Sequence, residues 1–269
     1  MSPIQRILLT GASGGLGTVL RKPLGSMTQH LRLSDLKKPA EPAVANEEFV
    51  ACDLVDAKAV LALTRGVDML VHLGGAVGAD LPFDEVLQAN VLGLKNIYEA
   101  CRQNGVRRVI WGSSNHAFGF YPRTQRLDAA VVPRPDSFYG VSKVFGEAMA
   151  QYYWDKFRLE SVSMRIGSCF PKPTDLRMLS TWQSYRDFVH LVQCSLRAAA
   201  VGHTVVYGVS NNDSQLWDNH MAEHLGYRPQ DNAEAFRAEI EAAAPVYRQD
   251  DPQVALHGGG FAAAGHSHE

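Results

Sequence analysis

The chain has 269 residues, of which 46% are hydrophobic, and a formal net charge of −2. This composition excludes a wholly disordered chain, and the balanced charge argues against nucleic acid as a partner. The sequence shows neither a signal-peptide pattern nor an unbroken apolar run of about 18 residues, so we expect no membrane span.

The four cysteines are Cys52, Cys101, Cys169 and Cys194. Because they are widely spaced and form no CxxC pair, we expect reduced thiols in a cytoplasmic protein. A catalytic cysteine is the alternative, and it is disfavoured because no residue nearby resembles its base.

Short apolar runs alternate with helical patterns over the first two-thirds of the chain, as they do in βαβ units. The predicted strands cover residues 7–9, 31–34, 48–50, 69–73, 108–111 and 161–166, and the predicted helices cover residues 16–24, 57–64, 83–103 and 137–158. Strands rich in Val, Ile and Leu, joined by right-handed crossovers, predict an α/β fold of the Rossmann type with a doubly wound parallel sheet.

The pattern changes after Ile166, where Pro171 and Pro173 interrupt it. We predict a helix over 185–201, a strand over 204–207, and helices over 214–225 and 232–244. This divides the chain into a main domain (1–166), a small substrate-binding C-terminal lobe packed on it (167–257) and a flexible tail (258–269) rich in Gly, Ala and His. His266 and His268 in that tail are metal-ligand residue types, but a solvated tail is favoured and we expect no metal site.

A glycine-rich loop follows the first predicted strand and opens the first predicted helix. It reads Thr10-Gly11-Ala12-Ser13-Gly14-Gly15-Leu16-Gly17, with GxxGxxG spacing. Glycine permits a tight turn and the close approach of a pyrophosphate, and the N–H groups at the helix start then face the phosphates. Because a strand and a helix flank the loop, it predicts a dinucleotide site.

Acidic residues end the next two apolar runs. Asp35 lies where a carboxylate accepts hydrogen bonds from the adenosine ribose and repels the extra phosphate of NADP. This favours NAD, although Lys37 and Lys38 weaken the preference, and a helix-cap or turn role for Asp35 is the alternative. Asp53 and Leu54 are placed to meet the adenine, with a turn role for Asp53 as the alternative.

Tyr139 and Lys143 lie four residues apart at the start of a predicted helix, so both side chains point to one side. A tyrosine with its ordinary pKa of about 10 is a poor base at neutral pH, and we expect the neighbouring cation to lower that pKa. Tyr139 then accepts a proton from a substrate hydroxyl as hydride leaves.

A polar segment, Ser113-Ser114-Asn115-His116, follows the fifth predicted strand. Ligands of such sheets bind at the carboxyl ends of the strands, so Ser114 is placed to orient the reacting oxygen against Tyr139. A plain polar loop is the alternative for Ser114, and His116 is as well explained by a neighbouring partner as by a substrate.

The TGxxGxxG loop, the acid, the serine and the YxxxK pair together resemble the extended short-chain dehydrogenase/reductase family, also called the NAD-dependent epimerase/dehydratase family, over about residues 4–170. Further segments resemble those members that oxidise free hexuronic acids. They are His72-Leu73-Gly74-Gly75, Ser113-Ser114-Asn115-His116, Phe138-Tyr139-Gly140-Val141-Ser142-Lys143, Arg165-Ile166-Gly167-Ser168-Cys169, Arg177-Met178-Leu179-Ser180-Thr181-Trp182, Trp217-Asp218-Asn219 and Asp231-Asn232-Ala233-Glu234-Ala235-Phe236. Residues 76–82 depart from that pattern, because they are one residue longer and lack a serine able to touch the substrate.

The resemblance implies NAD-dependent oxidation of galacturonate or glucuronate at C1 to an aldarolactone, in carbohydrate catabolism, by a homo-oligomer. It implies Tyr139 as base, Lys143 as its partner and Ser114 as the orienting hydroxyl. The implied sugar contacts are Ser114, Asn115, His116, Tyr139, Ser168 and Arg177. The implied NAD contacts are Gly11, Ser13, Gly14, Gly15, Leu16, Gly17, Asp35, Asp53, Leu54, Leu73, Gly74, Gly75, Asn90, Tyr139, Lys143, Ile166 and Ser168.

Chemistry and chain length bear on the substrate. A carboxylate calls for a cation, and a guanidinium grips it with two parallel hydrogen bonds, which makes Arg177 the candidate; a surface salt bridge is the alternative. The short chain after the sixth strand favours a free sugar acid over a nucleotide sugar. A nucleotide-sugar epimerase or reductase is the second hypothesis, and a non-catalytic NAD-binding regulator is the third.

Overall fold

The computed structural model describes residues 4–265. Its strands are β1 (Arg6–Thr10), β2 (His30–Asp35), β3 (Glu47–Ala51), β4 (Met69–His72), β5 (Arg108–Ser114), β6 (Glu160–Ile166), β7 (Ser168–Cys169), β8 (Trp182–Gln183) and β9 (His203–Gly208). Its α-helices are α1 (Gly15–Gly25), α2 (Ala57–Leu63), α3 (Phe83–Val86), α4 (Gly93–Gln103), α5 (Phe138–Phe157), α6 (Met178–Thr181), α7 (Tyr185–Arg197), α8 (Arg237–Ala243), α9 (Pro252–Ala255) and α10 (Gly260–Ala263).

The main sheet has seven parallel strands in the order β3-β2-β1-β4-β5-β6-β9. This order reverses direction at β1, so the chain is doubly wound and a crevice opens at the carboxyl ends of β1 and β4. The six predicted strands and the Rossmann-type sheet are confirmed. The second, two-stranded sheet of β7 and β8 lies outside the prediction.

Two apolar cores cover the two faces of this sheet. Successive residues of β1 alternate between them, with Ile7 and Leu9 in one core and Leu8 in the other, because neighbouring side chains of a strand point to opposite faces. Phe188 of α7 completes the first core, and Ile97 of α4 contributes to the second. Both faces are therefore buried, which explains the continuous apolar runs of these strands.

The predicted long helix over 83–103 is present but contains a wider turn. Helix α3 leads through a π-helical turn, Leu87–Leu92, into α4. Such turns occur at functional sites because the extra residue redirects a side chain. None of the helices in the range 4–265 has the length and apolar character needed to cross a membrane.

The segment that follows Ile166 completes the main sheet. Strand β9 pairs with β6 along six residues, and α7 packs against α1. Without them β6 would be an open edge and the first core would lack Phe188 and Val206, which are both fully buried. Part of the segment 167–257 is therefore built into the main sheet and its first core.

The helix expected over 214–225 is shorter than predicted. Only His220–Leu225 is helical, as a 3₁₀ turn, because the side chain of Asn219 pairs with both backbone groups of Tyr207 at 2.8 and 2.9 Å. Residues 232–244 form a 3₁₀ turn, Ala233–Phe236, that continues into α8.

Residues 258–265, the first part of the predicted flexible tail, contact the body of the protein. Gly258 N–H donates to the Gly119 carbonyl at 2.9 Å, and Ala262 of α10 is fully buried. Small residues allow this segment to pack closely on the body of the protein. The histidines considered as metal ligands, His266 and His268, lie outside the described residues.

The glycine loop offers a matched test of this packing. In Gly17→Ala the new Cβ would lie 2.1 Å from the Gly11 carbonyl oxygen, whereas nothing lies within 4 Å of a Cβ at Gly15. We expect Gly17→Ala to destabilise the fold by about 1–3 kcal/mol and to lower the midpoint of thermal unfolding by several degrees. Gly15→Ala serves as the control and should unfold at the wild-type temperature; equal midpoints for the two variants would contradict this account.

Candidate active site

Two adjoining cavities of about 690 and 530 Å³ form one groove along the carboxyl edge of the sheet. They share Gly11, Gly14, Leu73 and Gly75. The first cavity, the adenosine half, is lined by residues that follow β2 and β3. The second, the reaction half, is lined by residues that follow β5 and β6. Each half is within the usual size of a small-molecule site.

The glycine loop shapes the centre of the groove. Gly11 has a φ of +71°, and a Cβ there would lie 2.6 Å from the Gly74 nitrogen, so only glycine fits between the ends of β1 and β4. At the start of α1, Gly14 provides no side-chain cap for the first N–H groups. These donors, with the open space beside Gly15, match an anionic diphosphate at a helix N-terminus.

Asp35 is held in a fixed orientation at the wall of the adenosine half. Ser13 N–H donates to its Oδ2 at 3.0 Å and Leu36 N–H donates to its Oδ1 at 2.7 Å. The adjacent Ser34 hydroxyl is buried without a hydrogen-bond partner among the residues of the range 4–265. Acceptors fixed in this way, beside an unpaired hydroxyl, suit the hydroxyl groups of a ribose.

Asp53 and Leu54 line the same half. Asp53 Oδ1 also accepts from Val55 N–H at 3.0 Å, so the turn role considered for this residue is present together with its place in the cavity wall. The Leu54 side chain supplies an apolar surface at the position expected for adenine.

Asn90, predicted as a cofactor contact, lies against Gly75 of the groove wall and binds neighbouring protein groups. Its Oδ1 accepts from Ala76 N–H at 2.8 Å, and its Nδ2 donates to the Ala76 carbonyl and to Ser142 Oγ at 2.9 and 3.1 Å. Both protons of Nδ2 are therefore used, and Oδ1 keeps one free lone pair. Asn90, which lies in the π-helical turn, therefore joins the loop after β4 to the catalytic helix α5.

Tyr139, Lys143 and Ser114 meet in the reaction half, as predicted. Helix α5 begins with Ser137 as its cap, whose Oγ accepts from Gly140 N–H at 3.1 Å, and this places Tyr139 in the first turn. The Tyr139 hydroxyl shares a hydrogen bond with Ser114. The Lys143 ammonium donates to the Gly112 carbonyl at 2.7 Å and lies 5.1 Å from the centre of the Tyr139 ring.

Burial shifts the pKa values of the two groups in opposite directions. It raises the pKa of Tyr139 to about 12 and lowers that of Lys143 to about 8, because removal from water penalises each charged form. The expectation of a lowered tyrosine pKa is therefore wrong for the protein alone. The desolvation of the phenol outweighs its hydrogen bond with Ser114, which acts to lower the pKa, and Tyr139 keeps its proton at neutral pH.

A buried ion pair beneath this triad was missed by sequence reasoning. Glu147 lies one further turn along α5, accepts from Ser113 Oγ at 2.7 Å, and pairs with both Arg165 nitrogens Nε and Nη2 at 2.9 Å. Its carboxylate opposes the effect of burial on the pKa of Lys143. The spacing of 139, 143 and 147 on one helix face was the available signal.

Asn115 and His116 supply polar groups beside the reacting oxygen. Asn115 Nδ2 is buried, lines the reaction half and has no hydrogen-bond partner in the described part of the chain, so it is a donor left for a ligand. His116 Nδ1 lies 2.8 Å from Oδ2 of the buried Asp136. Because Nδ1–H donates to the carboxylate, a neutral His116 presents Nε2 as an acceptor. Asp136 was not singled out from the sequence.

Arg177 and Ser168 form the far end of the reaction half. Arg177 Nη2 donates to Ser168 Oγ at 3.0 Å, and Nη1 donates to the His257 carbonyl at 3.3 Å. Among residues 4–265 no carboxylate pairs with this guanidinium within 4 Å, so the surface salt bridge considered for Arg177 is absent. Its charge is available to an acidic ligand.

The remaining predicted residues also line the groove. They are Gly11, Ser13, Gly14, Leu73, Gly74 and Gly75 in the adenosine half, and Gly15, Leu16, Gly17 and Ile166 in the reaction half. The loop of residues 76–82 contributes Val77 to the reaction half, an exposed apolar side chain with no hydrogen-bonding group. Two further wall residues, Phe170 and Phe261, were not predicted.

Comparison with known proteins decides the family. Residues 7–182 match the model of the NAD dependent epimerase/dehydratase family. The chain belongs to this family. The resemblance noted in the glycine loop and the YxxxK pair is thereby confirmed.

Within the epimerase/dehydratase family, a uronate dehydrogenase from Pseudomonas putida is 50% identical over 264 residues, which cover 98% of each chain. The crystal structure of a glucuronic acid dehydrogenase from Chromohalobacter salexigens is 48% identical, with a TM-score of 0.94 over 98% of both chains. A mutant uronate dehydrogenase from Agrobacterium tumefaciens, crystallised in complex with NAD, is 49% identical, with a TM-score of 0.92 over 96% of this chain and 97% of that one.

Two buried histidines near the groove predict a pH dependence of stability. Burial lowers the pKa of His72 to about 3 and that of His257 to about 4, well below the unfolded value of about 6.5. As the pH falls below 6.5 the unfolded chain gains protons that the folded chain does not, so stability is lost. We expect the free energy of unfolding to fall by about 4 kcal/mol between pH 6.5 and 4.5.

Urea unfolding at a series of pH values measures this loss. His257→Gln should remove about 2 kcal/mol of this loss, and the exposed His30→Gln should leave the loss unchanged. A free energy of unfolding that stays constant over this pH range would rule out the histidines as its source.

Proposed function

We propose that this protein is an NAD-dependent uronate dehydrogenase. It oxidises the C1 hydroxyl of a cyclic hexuronic acid, galacturonate or glucuronate, to an aldarolactone. One observation carries the proposal: the Tyr139–Ser114 pair and the carboxylate-binding Arg177 lie in one cavity, which continues into the dinucleotide groove. The 50% identity to a uronate dehydrogenase along nearly the whole chain supports the same substrate class.

The residues of the groove fit NAD. The uncapped start of α1 and the space beside Gly15 suit its diphosphate, and Asp35 suits the ribose hydroxyls and disfavours the additional phosphate of NADP. When bound, NAD supplies the acceptor for the hydride and a positive charge beside the phenol. These contacts of the glycine loop, Asp35, Leu54 and Leu73 are part of the proposal.

Tyr139 and Ser114 act on the substrate hydroxyl. Ser114 holds the C1 oxygen through the hydroxyl that also touches Tyr139. The phenolate form of Tyr139 takes the proton of that oxygen while the hydrogen on C1 leaves with its electron pair, and C1 becomes the carbonyl carbon of the lactone. Lys143 stabilises the phenolate by its charge, and the Gly112 carbonyl and Glu147 keep that ammonium in place.

The polar wall distinguishes a uronate from a neutral sugar. Arg177 lines the cavity and binds the carboxylate through the N–H groups that His257 and Ser168 leave free. Ser168 lies beside it, while Asn115 Nδ2 donates to, and His116 Nε2 accepts from, ring hydroxyls. The spacing of these groups along the wall sets which end of the sugar reaches Tyr139.

The decisive assay mixes the protein with NAD and galacturonate or glucuronate and follows the absorbance of NADH. We expect turnover with at least one of the two acids and much less with galactose or glucose. Turnover of UDP-sugars without turnover of either acid would identify the protein as a nucleotide-sugar enzyme instead. NAD binding without turnover of any sugar would identify a regulator.

Substitution of the base tests the proton transfer. Tyr139→Phe keeps the ring and removes the hydroxyl, so we expect kcat to fall by about 10²–10⁴ while NAD still binds. Stopped-flow turnover and calorimetric NAD titration measure the two effects. A variant with near-normal kcat would exclude Tyr139 as the base.

Substitution of the guanidinium tests the carboxylate site. Arg177→Lys keeps the charge but loses the paired geometry, and Arg177→Ala loses both. We expect KM for galacturonate to rise at least about tenfold with lysine and further with alanine, with little change in KM for NAD. Arg126→Ala, at an exposed arginine paired with Asp218, is the control; equal KM values in all variants would place the carboxylate elsewhere.

We also propose that the protein is a homo-oligomer. Four apolar side chains, Phe83, Leu92, Phe138 and Val141, are between 38% and 55% exposed on the joined helices α3 to α4 and on α5, and apolar surface of this kind marks interaction sites. Sedimentation velocity should show a dimer or larger species that Val141→Glu shifts towards monomer. A monomeric wild-type protein would contradict the assembly.

A cytoplasmic location is part of the same proposal. Cys52, Cys101, Cys169 and Cys194 are all free thiols, and burial raises the pKa of each of them. Free, protonated thiols are typical of a reducing compartment.

A further inference from the structure

The C-terminal helical turn α10 forms part of the reaction half. The backbone contact between Gly258 and Gly119 seats this segment on the body of the protein, and Ala262 is fully buried beneath it. Phe261, which immediately precedes Ala262, lines the same cavity as Tyr139 and Arg177. A segment of small residues therefore carries one aromatic side chain into the site.

Phe261 packs against a sugar-facing residue. Its ring stacks on the His116 imidazole with centres 3.8 Å apart and planes 20° apart, and its centre lies 6.0 Å from that of Tyr139. Since Phe261 covers the face of His116, it leaves the ring edge with Nε2 for hydrogen bonding. The half-buried Phe261 ring also gives the cavity a flat apolar surface close to the reacting oxygen.

The seat of this segment is closely fitted around Asp136. A Cβ at Gly119 would lie 1.8 Å from Asp136 Oδ2, and a Cβ at Gly258 would lie 2.0 Å from it. The same oxygen receives the His116 Nδ1 hydrogen bond. Any side chain at position 258 therefore displaces the segment from the Asp136–His116 pair.

The segment also reaches Arg177. A Cβ at Gly259 would lie 2.5 Å from Arg177 Cδ, and the carbonyl of the preceding His257 accepts from Arg177 Nη1. One short stretch of chain thus contacts the wall at His116 and the cation expected to hold the carboxylate. It fixes the distance between them.

We propose that Phe261 is a specificity-determining residue, whose ring is the apolar wall on which the C–H face of the pyranose packs. This inference rests on the proposed function. A pyranose has hydroxyls at its edge and carbon-bound hydrogens on its faces, so a polar wall and an aromatic wall together match its two kinds of surface. Arg177 selects the acid group, and Phe261 selects the ring that carries it.

The test compares Phe261→Ala and Phe261→Leu with wild type. We expect KM for galacturonate or glucuronate to rise by roughly 5- to 20-fold in the alanine variant, as loss of one aromatic contact predicts. Leucine keeps apolar volume but not the flat ring, so its rise should be smaller. KM for NAD and the unfolding temperature should change little, because the ring lies at the sugar end.

Two glycine variants distinguish the effect of the Phe261 ring from the effect of the segment that positions it. Gly258→Ala should raise KM for the uronate as Phe261→Ala does, although Phe261 is still present, because the new Cβ meets Asp136. Gly260→Ala is the matched control, since nothing lies within 4 Å of a Cβ there, and it should behave as wild type.

The outcomes separate this inference from the proposed function. A wild-type protein that oxidises no uronate overturns the function itself. If wild type is active, an unchanged uronate KM in Phe261→Ala overturns the inference alone. So does a parallel rise in KM for NAD with a lower unfolding temperature, which would show that Phe261 supports the fold. An unchanged uronate KM in Gly258→Ala, or a raised one in Gly260→Ala, also counts against it.

Discussion

The chemistry of this site depends on burying a phenol and an ammonium one helical turn apart. Removal from water raises the pKa of Tyr139 and lowers that of Lys143, so burial favours the uncharged form of each group. In water either group would be solvated and indifferent to a ligand. In the low-dielectric groove, an added positive charge acts strongly on both. Three features keep the two groups in place: the helix cap at Ser137, the Gly112 carbonyl and the Glu147–Arg165 pair.

The parallel sheet explains why distant residues converge. Its strands end at one edge, so the glycine loop after β1, Asp35 at the end of β2, and Ser114 at the end of β5 open onto one groove without any long-range design in the sequence. The residues behind the groove wall are placed differently. Asp136, Glu147 and the Gly258 segment contact the wall through tertiary packing, and each orients a residue of that wall.

The sequence was therefore sufficient to predict the residues of the groove wall and insufficient to predict those that support them. The strands, the glycine loop and the YxxxK pair carry local patterns with known periods, and these predictions hold. Residues 258–265 have no such pattern, because their order comes from contacts with Gly119 and Asp136, more than a hundred positions away. The pKa of Tyr139 was wrong for a related reason: a sequence shows the neighbouring lysine but not the loss of solvent. Nor does the sequence show that the Asn90 amide pairs with the backbone of Ala76.

The amide of Asn90 also divides the rim of the site into a fixed and an exchangeable part. It clamps Ala76 to α5 through Ser142, so the backbone up to Ala76 moves with the catalytic helix, whereas Val77 and the residues beyond it project from that anchor. Loops of other length or composition can accordingly be grafted between the anchor and α3 without disturbing the proton-transfer groups. In protein engineering this makes the rim beyond Ala76 the natural place to broaden the range of sugars that the same reaction centre accepts.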